Sequence, residues 1–292
     1  MDFLTRLTSG PPIVADGAMG TMLQAAGLPP GKTGEFWVLE RPDAVMAVHR
    51  AYVEAGADLI LTCTFGGTRH RLNRIGLTNR VAEVNHRAVE IARQAAAGRA
   101  LVAGDIGPLG ELLAPLGKLS YQEAVDLFAE QAAALAEAGA DVLYIETMSA
   151  LDEARAAVEG ARQAAPHLPI TLTFSFDTHG RTNMGVRPEQ AAKAALEWGV
   201  VAFGANCGAT LEMTGEALEK MRAAAPDALL IAKPNAGLPR WVEGKPVYDA
   251  TPEMMADFAA RAVALGARIV GGCCGSGPAH IQAIARRMTM AV

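Results

Sequence analysis

Eight aliphatic runs of strand length recur along the chain, separated by alanine-rich segments with helical spacing. They read IVADGA (13–18), DLILTCTF (58–65), LVAGDIGP (101–108), VLYIETM (142–148), ITLTFSF (170–176), VAFGANC (201–207), LLIAKPN (229–235) and RIVGGCC (268–274). Near-continuous aliphatic character suits strands buried on both faces, the condition of a parallel sheet covered by helices. PDAVMAVHRAYVEAG, YQEAVDLFAEQAAALAEAG and TPEMMADFAARAVALG are among the helical segments. Pro42, Pro188, Pro252 and Pro278 stand near expected helix starts, where a missing amide hydrogen costs nothing.

A weak internal repeat supports this alternation. EAGADLI (54–60), EAGADVL (137–143), EWGVVAF (197–203) and LGARIV (265–270) each carry a glycine suited to a left-handed helix cap, followed at once by a strand. The expected architecture is therefore a single-domain α/β fold, a (β/α)8 TIM barrel spanning residues 1–292. A doubly wound open sheet ranks second, because GAMGTM after the first run lacks the GxGxxG spacing. No linker or low-complexity stretch divides the chain.

Composition excludes several partner classes. With 51% hydrophobic and 20% charged residues and a net charge of −5, the chain has no electrostatic grip on nucleic acid or anionic lipid. Aromatic content of 5% also argues against a base-stacking surface. No apolar run approaches the roughly 20 residues that a membrane span needs, and MDFLTRLTSGPP does not read as a secretory leader. The four cysteines, Cys63, Cys207, Cys273 and Cys274, are too few and too scattered for a disulfide scaffold. A reducing cytoplasm is the expected location.

In such a barrel the chemistry collects at the C-terminal ends of the strands. Cys207 ends the sixth run, and Cys273 and Cys274 end the eighth inside GGCCG. Successive strand side chains point to opposite faces, so two adjacent thiols serve one ion only where the backbone turns sharply, as the flanking glycines allow. Three thiolates leave one position of a tetrahedral zinc open, the pattern of a catalytic site. Such an electron-rich centre suits a sulfur ligand that must stay nucleophilic. A vicinal-dithiol redox site and simple packing remain as alternatives. Cys63, inside the second run, reads as core.

Asp16, followed by a Gly-rich turn at Gly17 and Gly20, and Glu146 of YIETM suit an amino-acid substrate. Backbone amides of that turn would hold its carboxylate, and either acid would take its ammonium. Lys233 reads as a paired or snorkelling lysine rather than a Schiff base. The histidines carry no assigned chemistry, and His280 lies at the start of the last helix.

DGAMGTML, GDIGP, YIET, GANCG and GGCCGSGPAHI, in this order and spacing, resemble the homocysteine S-methyltransferases. That family includes betaine–homocysteine methyltransferases and the homocysteine domain of cobalamin-dependent methionine synthase. The resemblance covers essentially the whole chain and implies methionine formation from homocysteine. By it, Cys207, Cys273 and Cys274 are Zn2+ ligands, Asp16 and Glu146 hold the homocysteine amino group, and the backbone around Gly17 and Gly20 lies near its carboxylate.

For the methyl donor, the resemblance implies a cage of one tryptophan and two tyrosines around a quaternary ammonium. Trp37 of GEFWVLERPD stands for the tryptophan, while Gly66 and Thr147 occupy the tyrosine positions. SFDTHGRTNMG and FGGTRHRL are similar to the bacterial branch assigned to betaine. Betaine or a related methylated ammonium or sulfonium compound is thus the expected donor. The alternatives are a subunit taking methyl from a separate corrinoid protein, or a thiol metal or redox binder without turnover. No folate, corrinoid or reactivation domain is expected within these residues.

Overall fold

The computed structural model describes residues 2–290 apart from Pro30, Ala209, Glu243 and Gly244. Its strands are β1 Ile13–Val14, β2 Leu59–Leu61, β3 Leu101–Ile106, β4 Val142–Met148, β5 Ile170–Phe174, β6 Ala202–Cys207, β7 Leu230–Pro234, β8 Arg240–Val242, β9 Lys245–Val247 and β10 Ala267–Val270. Eight of them pair in parallel in the order β1-β10-β7-β6-β5-β4-β3-β2. A parallel bridge between Ala15 and Leu59 joins the two ends, closed by Asp58 N to Val14 O at 2.7 Å and Asp16 N to Leu59 O at 3.0 Å. The fold is therefore a (β/α)8 barrel.

Its helices start and stop where the sequence signals stand. Pro42–Glu54, Pro188–Glu197, Pro252–Ala264 and Pro278–Met290 each open on proline. Gly56, Gly139, Gly199 and Gly266, which end helices before β2, β4, β6 and β10, all have positive φ between 64° and 100°. An added Cβ would strain each of these turns.

Side chains alternate across the sheet with period two. Outward residues such as Ile60, Val102, Leu143, Leu172 and Phe203 pack under the helices. Ile13, Leu59, Leu61, Ala103, Val142, Tyr144, Ile231 and Ile269 point inward and form an apolar plug, which Phe3 and Leu7 of the first helix join. Above the plug the buried residues are polar: Asp16, Thr62, Asp105, Glu146, Thr173, Asn206 and Lys233. The apolar floor thus positions a buried polar layer at the C-terminal end of the barrel.

Two features depart from the sequence reading. The antiparallel hairpin β8–β9 interrupts the alternation after β7, so the eighth barrel strand is β10. Several strands also end earlier than their aliphatic runs: β1 at Val14, β2 at Leu61 and β10 at Val270. Beyond those points the backbone turns away to shape the rim. No described helix is long and apolar enough to cross a membrane.

Candidate metal centre

Cys207 ends β6 with φ 56°, and Gly208 follows at φ 77°. Both stand in the left-handed region, so the chain turns sharply and swings the thiol over the barrel mouth. Cys273 and Cys274 lie just past β10. Their turn is pinned by Gly272 N to Asp16 O at 3.0 Å, Cys273 N to Pro234 O at 2.8 Å and Ser276 N to Cys273 O at 3.1 Å. Gly275, at φ 80°, is where the turn reverses, and an added Cβ there would also collide with the Tyr248 ring.

The three sulfurs meet. Cys207 Sγ lies 3.0 Å from Cys273 Sγ and 4.0 Å from Cys274 Sγ, and all three are within 4.8 Å of one another with no disulfide between them. Three sulfurs at about 2.3 Å from a tetrahedral ion would sit about 3.8 Å apart. The observed pairs bracket that spacing, so the donor set fits a metal. Hydrogen bonds from Cys207 and then Cys273 pull the Cys274 thiol down to about 4, while contacts with Cys273 and then Cys274 push Cys207 up. Cys63 is buried and separate from this group.

The sulfurs open onto a cavity of about 330 Å³ that also reaches Asp16, Gly17, Gly20, Asp105, Glu146 and Lys233. Asp16 and Lys233 form a buried ion pair at 2.9 Å, and the second Asp16 oxygen accepts Leu61 N at 2.8 Å. Burial raises the Asp16 carboxyl against the pull of Lys233. Burial also opposes charge on Lys233, but Asp16 and Glu146 outweigh it and leave the amine raised. Glu146 is pushed up to about 8 by burial and then by Cys273. Gly17 permits a close backbone approach: a Cβ there would lie 2.5 Å from Ser276 O. The helix Met19–Ala25 opens on the cavity with no side-chain cap, so its first amides lack intrahelical partners.

Asn206 acts as a hub beneath the cysteines. Its Oδ1 accepts Thr147 N at 2.9 Å and Thr173 Oγ1 at 2.8 Å, and its Nδ2 donates to Thr147 Oγ1 at 2.7 Å. These bonds hold Thr147 at φ 63°, an unusual conformation for a β-branched residue. Sequence reasoning passed over Asn206, although its place one residue before Cys207 is a usable signal.

Trp37 is the sequence-expected donor contact. It is 5% exposed and packs in the core on the helix Gly34–Glu40, while among the described residues Thr33, Gly34 and Glu35 line the cavity at this point. At about 100° per residue, Glu35 and Trp37 leave the helix on opposite faces, and Arg41 lies 5.5 Å from the Trp37 ring. Gly66 and Thr147 add no aromatic face, and among the described residues Phe65 is the one aromatic in the wall.

The homocysteine S-methyltransferase family profile matches residues 13–288. Among solved structures, the chain is similar to the metallated form of the homocysteine methyltransferase MmuM of Escherichia coli. That likeness has 28% identity and a TM-score of 0.80 over 96% of this chain and 98% of that one. The oxidized form of the same protein gives 27% and 0.80, with 96% and 97% covered. The methionine synthase of Mycobacterium tuberculosis is 34% identical over 94% of this chain, which spans only 24% of that protein. With a family match across nearly the whole barrel, and with three free thiols gathered at its mouth, the chain belongs to the homocysteine S-methyltransferase family.

Proposed function

We propose that this chain is a zinc-dependent enzyme that moves a methyl group from betaine, or a related methylated ammonium or sulfonium compound, to the thiol of homocysteine. The observation that carries the reading is the convergence of Cys207, Cys273 and Cys274 within 4.8 Å at the mouth of a cavity lined by buried acids. A zinc ion in that set would lower the thiol pKa of homocysteine while leaving its sulfur nucleophilic.

The protein's own groups do the rest. Glu146, with Asp16 behind it, receives the ammonium, and the amides near Gly17 and Gly20 receive the carboxylate. Lys233, 2.9 Å from Asp16, opposes the burial that raises the Asp16 carboxyl. Enclosure excludes water, and alignment of sulfur with methyl carbon supplies much of the rate.

Zinc per chain, measured after metal-free reducing purification and reloading, tests the reading with wild type and Cys207→Ala. About one zinc in the wild type, a large loss in the variant, and methionine from homocysteine plus glycine betaine are expected. Zinc-free wild-type protein with an intact fold overturns it. The likeness to methionine synthases supports a second reading, with methyl delivered by a corrinoid protein. Turnover with methylcobalamin but with no onium compound would select it.

A further inference from the structure

Among the described residues, two ionisable side chains reach the cavity with no ion pair of their own: Asp105, whose carboxyl is pushed up by burial and then by Glu146, and Arg71, whose charge also acts on Glu153. Asp105 stands at the inner face of β3 and is 5% exposed. Its backbone is pinned: its N donates to Thr62 Oγ1 at 2.9 Å, while its O accepts Thr64 Oγ1 at 2.7 Å and Gln131 Nε2 at 3.2 Å. Among the described residues, the carboxyl so held has no hydrogen-bond partner at Oδ1. Leaving a buried carboxylate without a donor is costly, and a protein that fixes one so firmly holds it for something that arrives. Arg71, from the helix Arg69–Asn73, reaches the same cavity. Its guanidinium lies 5.7 Å from the Phe65 ring and, among the described residues, forms no ion pair or side-chain hydrogen bond.

We propose that Asp105 and Arg71 form a clamp that selects a zwitterionic methyl donor, with Asp105 facing its positive ammonium or sulfonium centre and Arg71 binding a carboxylate on the same molecule. The proposal rests on the onium-donor reading above and assigns the residues that recognise it. A quaternary ammonium or tertiary sulfonium has no N–H to offer, so charge attraction and methyl contacts are its means of binding. An acceptor oxygen left without a donor suits that. Among the described residues, Phe65 is the one aromatic side chain lining the cavity, and the Arg71 cation beside it repels another. A guanidinium fork, in turn, matches a carboxylate with two parallel hydrogen bonds.

In the transfer, the sulfur electron pair of homocysteine forms the new S–CH3 bond. The donor's C–N or C–S bond breaks and its pair stays on the departing neutral amine or sulfide. The thiol proton has already left to solvent. The donor's positive charge fades along this path, so Asp105 holds the ground state more strongly than the transition state. Its removal should therefore raise KM without lowering kcat.

The test uses the zinc-loaded full chain at saturating homocysteine. The donors are glycine betaine and dimethylsulfonioacetate, with trimethylsulfonium as the carboxylate-free control. Arg71→Gln is expected to raise KM at least tenfold for the two carboxylated donors and to leave trimethylsulfonium unchanged. Asp105→Asn should raise KM at least tenfold for all three with kcat undiminished. Asp105→Ser replaces it should that variant not fold. Equal effects of Arg71→Gln on donors with and without carboxylate overturn the clamp, as does a lower kcat at unchanged KM in Asp105→Asn. Methylation from methylcobalamin with no onium donor accepted overturns the clamp and leaves the family reading intact. If no donor methylates homocysteine, calorimetry of glycine betaine binding decides: binding lost in Arg71→Gln supports the clamp, and no binding by wild type overturns it.

Discussion

Lys233 Nζ lies 2.9 Å from Asp16 Oδ1, with both side chains only 3% exposed, and 217 residues separate them along the chain. The pair joins the first barrel strand's exit to β7 and is the only buried ion pair among the described residues. Removing one partner strands the other's charge in a dry site. Lys233→Met should cost about 3–5 kcal/mol in urea unfolding. Asp16→Asn added to Lys233→Met should recover a large part of it, and strict additivity would show that the pair is not coupled.

Cys274 should be the most reactive of the rim thiols in metal-free protein. Its thiol is pulled down to about 4 by Cys207 and Cys273, while Cys207 is pushed up. At pH 6, limited alkylation mapped by mass spectrometry is expected to label Cys274 first and to leave buried Cys63 untouched. Zinc should protect all three rim thiols.

His49 sits fully buried on the helix Pro42–Glu54, with neither ring nitrogen partnered among the described residues. Burial pushes its pKa down to about 4, below the ordinary histidine range. The unfolded chain therefore binds a proton that the native state refuses. Stability is fully present above about pH 6.5 and falls as pH drops toward 4, by at most about 1 kcal/mol per pH unit from this group. His49→Leu should flatten that slope and raise stability at pH 5, as urea midpoints at pH 5 and pH 7 would show.

Asn206 and Thr147 act as one device. Asn206→Ala removes three hydrogen bonds of 2.7–2.9 Å and should cost about 2–4 kcal/mol. It should also raise the KM for homocysteine, because Glu146 and Cys207 flank these two residues. Thr147→Gly, by contrast, relieves the left-handed backbone at φ 63° and should be neutral or stabilising by about 1 kcal/mol in thermal melts.

Much of this molecule was legible one segment at a time. The four prolines that open helices and the four glycines that end them act through their own backbone geometry, so sequence was enough to place them. The eight strands announced themselves because each must be apolar on both faces. The GGCCG turn was readable for the same local reason: adjacent thiols cannot serve one ion without a chain reversal.

What the sequence alone could not supply were relationships set by barrel closure. Trp37 falls into the core and Glu35 onto the cavity wall because of how one short helix is rotated. The choice of Lys233 as Asp16's partner, the gathering of Asn206 under Thr147, and the lack of a partner for Asp105 each depend on strands far apart in sequence becoming neighbours. Aliphatic pattern fixes which face of a strand is buried, but only the closed sheet determines which buried polar groups meet and which remain unpaired.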